Sequence, residues 1–307
     1  MRKKSLLFAA LIMMLFCSLR LIGATRYSVA TGNWNSTSTW SATLGGTSGA
    51  SVPVAGDDVF IEAGKTVTVT AAAACTNLSI ASGSALTVGA FNIAVSGTTS
   101  VSGTLTFSSA TGTKTYSGDV TINSGGSWIE SAAAAISFGG SLLNNGTFTS
   151  GTGMHTFSGT TKTLDGSSDL VIPTATFTGA YTNTGTLTVA TLLTVTGVTL
   201  TNNGTITASA ALSGTGGLTQ GTNALLNLGG TCGITTLTAT ATGNTVNYTD
   251  AAQTAKVTTY ENLTLSGSGA KTFATTPTVN GVLSLEGSAT VVVTTGVVTY
   301  GAAATLQ

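Results

Sequence analysis

Charge is what this sequence has least of. Lys, Arg, Asp and Glu make up only 7% of its 307 residues, against roughly 25% in an average soluble domain. Ten basic and ten acidic residues balance to a formal net charge of +0. The chain therefore lacks the high net charge that keeps a polar sequence disordered. Four of the basic residues, Arg2, Lys3, Lys4 and Arg20, lie at the extreme N-terminus, so the remainder keeps 6 basic against 10 acidic, a net of −4. No Lys or Arg cluster interleaved with aromatics is left to neutralise phosphates, and nucleic acid is not an expected partner.

Histidine and cysteine are nearly as scarce, with one His and three Cys. Cys75 and Cys232 stand beyond the N-terminal segment without a CxxC or a paired His, so metal-ligand spacing is missing and no cofactor is expected. The GxSxG, HExxH, phosphate-loop and calcium nonapeptide motifs are absent too. Enzymes built on β-helices converge several Asp with Arg, Lys or His in one groove. Here His155, in "TGMHTFSG", has no partner visible in sequence and reads as an exposed or satisfied imidazole. The chain is not expected to be an enzyme.

Long hydrophobic runs are confined to the start. "MRKKSLLFAALIMMLFCSLRLIGA" has a basic opening, an apolar run from Leu6 to about Cys17 and small residues Gly23 and Ala24 at its end. The run is short of the roughly 20 residues a bilayer needs, and Arg20 interrupts its far end. Residues 1–24 are expected to be a signal peptide cleaved after Ala24, leaving no transmembrane segment and placing the protein outside the cell or on its outer surface.

Gly, Ser and Thr fill the space that charge leaves, with Thr alone about a fifth of the chain. Thr and Val suit a pleated strand, while Gly costs about 1 kcal/mol at each helical site, so the sequence predicts β structure. It also repeats itself: "LLNNGTFTSG" at 142–151 returns as "TLTNNGTITASA" at 199–210. Gly83, Gly103, Gly126, Gly146, Gly166, Gly185 and Gly204 recur about every 20 residues, a solenoid period. Each unit reads strand, polar turn, strand, and is too short to form a core alone. Stacked as turns of a single-stranded parallel, right-handed β-helix, such units share one core. Tandem antiparallel β-sandwich units are the alternative. The glycines are expected at corners needing positive φ, with Asn145 and Asn203 suited to the same bend.

This reading divides the chain into a cap segment at 25–54, regular repeats at 55–210 and a less regular continuation at 211–307, where the period loosens. "VVVTTGVVTYGAAATLQ" runs to Gln307 as strand-like text without a polar cap. The expectation is a truncated C-terminus and end-to-end self-association. Cys75 and Cys232 stand about eight turns apart, a gap near 40 Å at about 4.8 Å per turn, where a disulfide tolerates less than about 7 Å. They are expected to be unbonded.

"NSTSTWS" followed by "PVAGDDVFIEAGKTVTVTAAAACTNLSIASGSALTVG" resembles the opening of secreted bacterial β-helix proteins common in the Bacteroidetes. That opening is related in pattern to the glycine-rich module named for its eight glycines. The resemblance covers residues 34 to about 97, and the later "YENLTLSGSGAKTF" is similar to the repeats that follow in such proteins. It implies a secreted or cell-surface, adhesin-like protein, although the sorting domain for type IX secretion that usually ends such chains is not visible.

Three groups of residues are candidates for binding. Asp57, Asp58 and Glu62 form the densest acidic group and could hold calcium, against the commoner use of Asp to bond its own turn; Asp165 and Asp169, flanking Gly166, carry the same pair of readings. Trp34 and Trp40, with Tyr27 nearby, could offer a glycan platform, against a cap on the first turn. Thr104, Thr106, Thr147, Thr149, Thr186, Thr188, Thr205 and Thr207 flank single apolar residues and should face outward as a ladder, similar to the surface of some ice-binding β-helices. "SWI" after Gly126 and "SSD" after Gly166 interrupt that ladder. The function expected is a secreted or cell-surface structural, adhesin-like β-helical module without catalytic activity, its candidate partners glycans or other cell-surface polymers. A polysaccharide-binding or polysaccharide-cleaving β-helix is the alternative, and ice binding a minor one.

Overall fold

The computed structural model describes residues 23–307; the expected leader therefore lies outside the described residues except for its last two. The chain forms a parallel β-solenoid of about 12 turns, with about 20 residues per turn. Among the described residues, helix is confined to one 3-10 turn at Thr37–Thr39. Each turn contributes three short strands separated by corners. Asp58–Ile61, Thr66–Val69 and Ala73–Cys75 make one complete turn, and Leu78–Ile80, Ala85–Val88 and Ile93–Val95 lie on them in parallel register. The solenoid thus has three faces, which we number in that order.

Strand pairing runs between turns and is parallel throughout, except where Tyr27 and Ser28 meet Ser41 and Trp40 antiparallel in the N-terminal segment. The sandwich alternative fails on this point, because hairpins would pair sequence neighbours antiparallel. Turn length flexes without breaking the stack. Thr104 pairs with Ser127, 23 residues on, and Thr245 with Asn262, only 17 on. The surplus sits in corners, so strands such as Ala211–Gln220 carry the stack past residue 210 despite the looser sequence period. At about 4.8 Å per turn, 12 turns extend about 60 Å along the axis.

Period-two alternation explains the core. Thr104–Phe107 and Thr186–Val189 turn Leu105, Phe107, Leu187 and Val189 inward and leave the threonines outside. All these inward residues join one hydrophobic cluster that begins at Trp34 and reaches Leu283. Along the third face the inward column Tyr116, Phe138, Phe157, Phe177 stacks ring on ring, with centroids 5.3 Å apart for Phe138 and Phe157 and 4.7 Å for Phe157 and Phe177. Asn183, Asn202 and Gln220 form a buried amide ladder on the first face: Asn183 Nδ2 donates to Asn202 Oδ1 at 2.9 Å and Asn202 Nδ2 to Gln220 Oε1 at 2.7 Å. The Asn183 and Asn202 amides are satisfied along the ladder, while the buried Gln220 Nε2 at its end has no partner.

The recurring glycines are explained differently from expectation. Only Gly83 (φ 73°) and Gly166 (φ 137°) have positive φ, and Asn145 and Asn203 do not. Space is the stronger constraint at several of the others. A Cβ on Gly126 would lie 2.1 Å from the Val101 carbonyl oxygen, and one on Gly204 2.2 Å from that of Gly185. Stacked corners bring backbone onto backbone, and only glycine admits that approach. Gly185 itself meets neither condition.

Cys75 and Cys232 are both free, as their separation requires. Burial, reinforced by Asp58 and Asp57, pushes the Cys75 thiol up to about 12, so it does not supply a reactive thiolate. No helix among the described residues is long and apolar enough to cross a membrane.

Candidate functional site

The acidic group near the N-terminus is dispersed by its own hydrogen bonds. Asp57 is buried, its Oδ1 accepting from Ala24 N at 2.8 Å and its Oδ2 from Val54 N at 3.1 Å, with Arg26 Nε 4.0 Å away. Asp58 Oδ1 accepts from Asn77 Nδ2 at 2.8 Å, and Glu62 Oε1 from Gly45 N at 2.9 Å. Each carboxylate closes a different turn or loop. Asp57, Asp58 and Glu62 therefore form no calcium cage, and among the described residues no three His, Cys, Asp or Glu side chains converge as metal ligands. Asp165 Oδ1 likewise accepts from the adjacent Gly166 N at 2.8 Å.

Trp34 and Trp40 cannot be a glycan platform, because neither ring is exposed: Trp34 is 2% and Trp40 0% accessible. They meet edge to face at 5.3 Å, and Trp40 Nε1 donates to the Trp34 carbonyl at 2.7 Å. They close the apolar core at its N-terminal end, as a cap does. Tyr27 is different. It stacks outside on Phe60, with centroids 5.2 Å apart and planes at 20°.

The threonine ladder exists, in two pieces on the second face. Thr66 and Thr68 begin it, Thr68, Thr87 and Thr106 pair in sequence, and Thr104 pairs with Ser127 and Ser127 with Thr147. Ile129 stands between Thr106 and Thr149. Farther on, Thr186 and Thr188 pair with Thr205 and Thr207, flanked by Val171 on one side and by Leu225 and Asn227 on the other. Another ladder escaped the sequence reading. On the first face Thr163, Thr182, Thr201, Thr219 and Thr238 pair turn upon turn without a break. Its signal was available, since these residues repeat at 18 or 19 positions and the first three stand three residues before Gly166, Gly185 and Gly204; only beyond them does the distance to glycine change.

The least anticipated chemistry is inside. His155 is fully buried, its Nε2 lying 3.0 and 3.1 Å from the Glu130 oxygens. Glu130 also accepts from Trp128 Nε1 at 2.9 Å and from Gly151 N at 2.9 Å. Two lysines are buried by a common device. Lys114 Nζ donates to the carbonyls of Thr111, Gly112 and Gly89, and Lys271 Nζ to those of Asp250 and Ala251 and to Gln253 Oε1. The Lys114 ammonium gathers the corner just before its own strand, and that of Lys271 the corner one turn earlier, before Gln253–Ala255. Burial lowers both below the ordinary lysine value.

On the first face, a hollow of about 320 Å³ is lined by Asp119, Thr121, Ser141, Thr163 and Asp165 among others. Asp119 Oδ1 accepts from Ser141 N at 2.8 Å and from Lys162 Nζ at 3.1 Å, and these bonds, the backbone one first, hold its carboxyl below its ordinary value. A depressed carboxyl stabilises the fold above the unfolded-state value and loses that contribution as pH falls through the folded-state one. Asp119→Asn should therefore lower stability at pH 7, by less than about 1 kcal/mol because the pair is exposed, and the difference from the parent should vanish at pH 2. Urea midpoints at the two pH values check this; an unchanged difference would assign the loss to something other than the charge.

Comparison with protein-family models, curated proteins and solved structures finds no match to this chain.

Proposed function

We propose that the protein is a secreted or cell-surface structural module, a non-catalytic, adhesin-like β-helical rod that presents its long faces to other surface polymers. The observation that carries this reading is the use made of ionisable side chains along an unbroken stack of about 12 turns. Glu130, His155, Lys114 and Lys271 are consumed inside the core, Asp57 and Glu62 accept from backbone N–H groups of neighbouring loops, and Asp58 accepts from the Asn77 side chain. The hollow beside Asp119 holds two carboxylates, and the groove of about 630 Å³ beside Cys232 holds Asp250 and Lys256. Glycoside hydrolysis takes a pair of carboxylates aimed at one bond, whereas here Asp119 is engaged by Ser141 N and Lys162 Nζ and Asp165 by Gly166 N. The resemblance of residues 34–97 to secreted Bacteroidetes proteins with an eight-glycine-like module supports the location.

The test has two parts. Expressed with its leader in a secreting bacterial host, the chain should leave the cytoplasm and start near Thr25; export with Met1 retained, or no export, would overturn the location. Incubated with neutral and acidic polysaccharides, the purified chain should release no reducing ends or unsaturated products. Release that Asp119→Asn or Asp165→Asn abolishes would make it a hydrolase or lyase instead.

A further inference from the structure

The stacked pair Tyr27 and Phe60 stands at the N-terminal end of an outward column on the first face. In strand Asp58–Ile61 the alternation buries Val59 and Ile61 and turns Phe60 out, leaving it 38% exposed. Phe60 pairs with Tyr27 on one side and Ser79 on the other. One face of the Phe60 ring is covered by Tyr27, and the other looks along the axis over the much smaller Ser79. A hollow of about 320 Å³ occupies that step, with Phe60, Ser79, Glu62 and Leu44 around it.

The walls of this hollow are set by the local structure. Leu44, 72% exposed, is carried by a loop that Gly49 N pins to the carbonyls of Thr37 and Trp40 at 3.0 Å each. Glu62 holds the same loop through Oε1 and Gly45 N, which leaves Oε2 to a ligand. The hollow thus combines an aromatic face, an aliphatic wall, a hydroxyl floor and one carboxylate acceptor. Its volume is at the small end of ligand pockets, suited to one ring rather than a peptide.

We propose that this hollow binds a single neutral hexopyranose residue of a surface polysaccharide. A pyranose offers axial C–H bonds on one face, which suit the negative face of an aromatic ring, and hydroxyl donors around its rim, which suit Glu62 Oε2 and Ser79 Oγ. Charge complementarity selects a neutral sugar: the chain beyond residue 20 carries 6 basic and 10 acidic residues, and the only ionised group lining the hollow is a carboxylate. The inference deepens the adhesin-like reading, on which it rests, by naming the ligand class and the residues that meet it.

The experiment titrates the purified chain with methyl glycosides of glucose, galactose and mannose, with N-acetylglucosamine, with glucuronate and with N-acetyl-leucine amide, read by saturation-transfer NMR and calorimetry. At least one neutral sugar should bind in the millimolar range, and Phe60→Ser should weaken it about tenfold or more. Glu62→Gln should weaken it less, since the amide oxygen can keep Gly45 N while the amide nitrogen donates to a sugar hydroxyl oxygen. Phe60 faces outward and serine already occupies the next position of its column, so the variant should fold, its urea midpoint lowered only by loss of the Tyr27 stack, about 0.5–1.5 kcal/mol. Val171→Ser, at a remote exposed position, should leave binding unchanged. Binding that survives Phe60→Ser would overturn the site while leaving an adhesin intact. Binding of glucuronate alone, of the leucine amide alone, or of none of these probes would overturn it as well. Export and polysaccharide cleavage judge the broader reading separately.

Discussion

Glu130→Ala lowers the stability of the turns around it by about 3–5 kcal/mol, the cost of leaving the buried partners of a carboxylate without their acceptor. The substitution strands three donors at once: Trp128 Nε1, Gly151 N and His155 Nε2 all point at the missing carboxylate. Trp128 and His155 cannot reach water, both being 0% exposed, whereas Gly151 is only half-buried. His155→Ala should cost less. It leaves Glu130 with two of its three partners, although the lost ring also opens a cavity between Ile136 and Ala175. The informative variant carries Glu130→Leu together with His155→Phe. An apolar pair removes the buried charge and most of the orphaned polarity, so the double variant should be more stable than Glu130→Leu alone. Denaturant unfolding of the parent, both single variants and the double variant measures the coupling. A shift below about 1 kcal/mol for Glu130→Ala would mean that the pair does not hold the core as its geometry requires.

The pair was legible in the sequence, but not to a search for motifs. Read by alternation, "SWIE" puts Trp128 and Glu130 on the side of the apolar column, and "MHTF" puts His155 beside Phe157. The same phase places Lys114 with Tyr116 and Lys271 with Phe273 inside. Composition gives only their number. Local sequence cannot show that residue 130 meets residue 155, because that meeting depends on how many residues one turn contains.

The fold was more legible than the site because stacking needs only a period. "NGTFTS" and "NGTITA" carry strand propensity, alternation and corner glycines in the same order, and these cues agree. Burial of Trp34 and Trp40 was less accessible. A tryptophan near a solenoid end can cap the core or stack on a ligand with the same local sequence, and the choice depends on the chain at 50–69 against which it packs. Phe60 shows the converse. In "DDVFIEAG" it reads as one more apolar strand residue, and only the register with Tyr27 and Ser79 reveals the open ring face.

Phe157→Ala should divide the rod into two folding units. Phe157 is fully buried at the middle of the aromatic column, parallel to Phe138 and Phe177 and edge-on to Tyr181 at 5.5 Å. Truncation to alanine costs about 3–5 kcal/mol through lost burial and an unfilled cavity. Each lost ring contact adds about 0.5–1.5 kcal/mol beyond area alone. In a solenoid this loss falls almost wholly on the interfaces of one turn, since each turn touches only its neighbours. Turns before Met154–Phe157 and turns after Leu170–Phe177 keep their own contacts intact. The parent should therefore unfold in one transition and the variant in two, with amide exchange fastest next to residue 157 and slow protection retained near Leu86 and Leu226. Phe157→Leu fills most of the space and should shift the midpoint by less than about 1.5 kcal/mol without splitting the transition. If Phe157→Ala instead melts as one unit, coupling along the stack must exceed what nearest-neighbour contacts supply. The aromatic column would then be one part of a core that holds together over many turns.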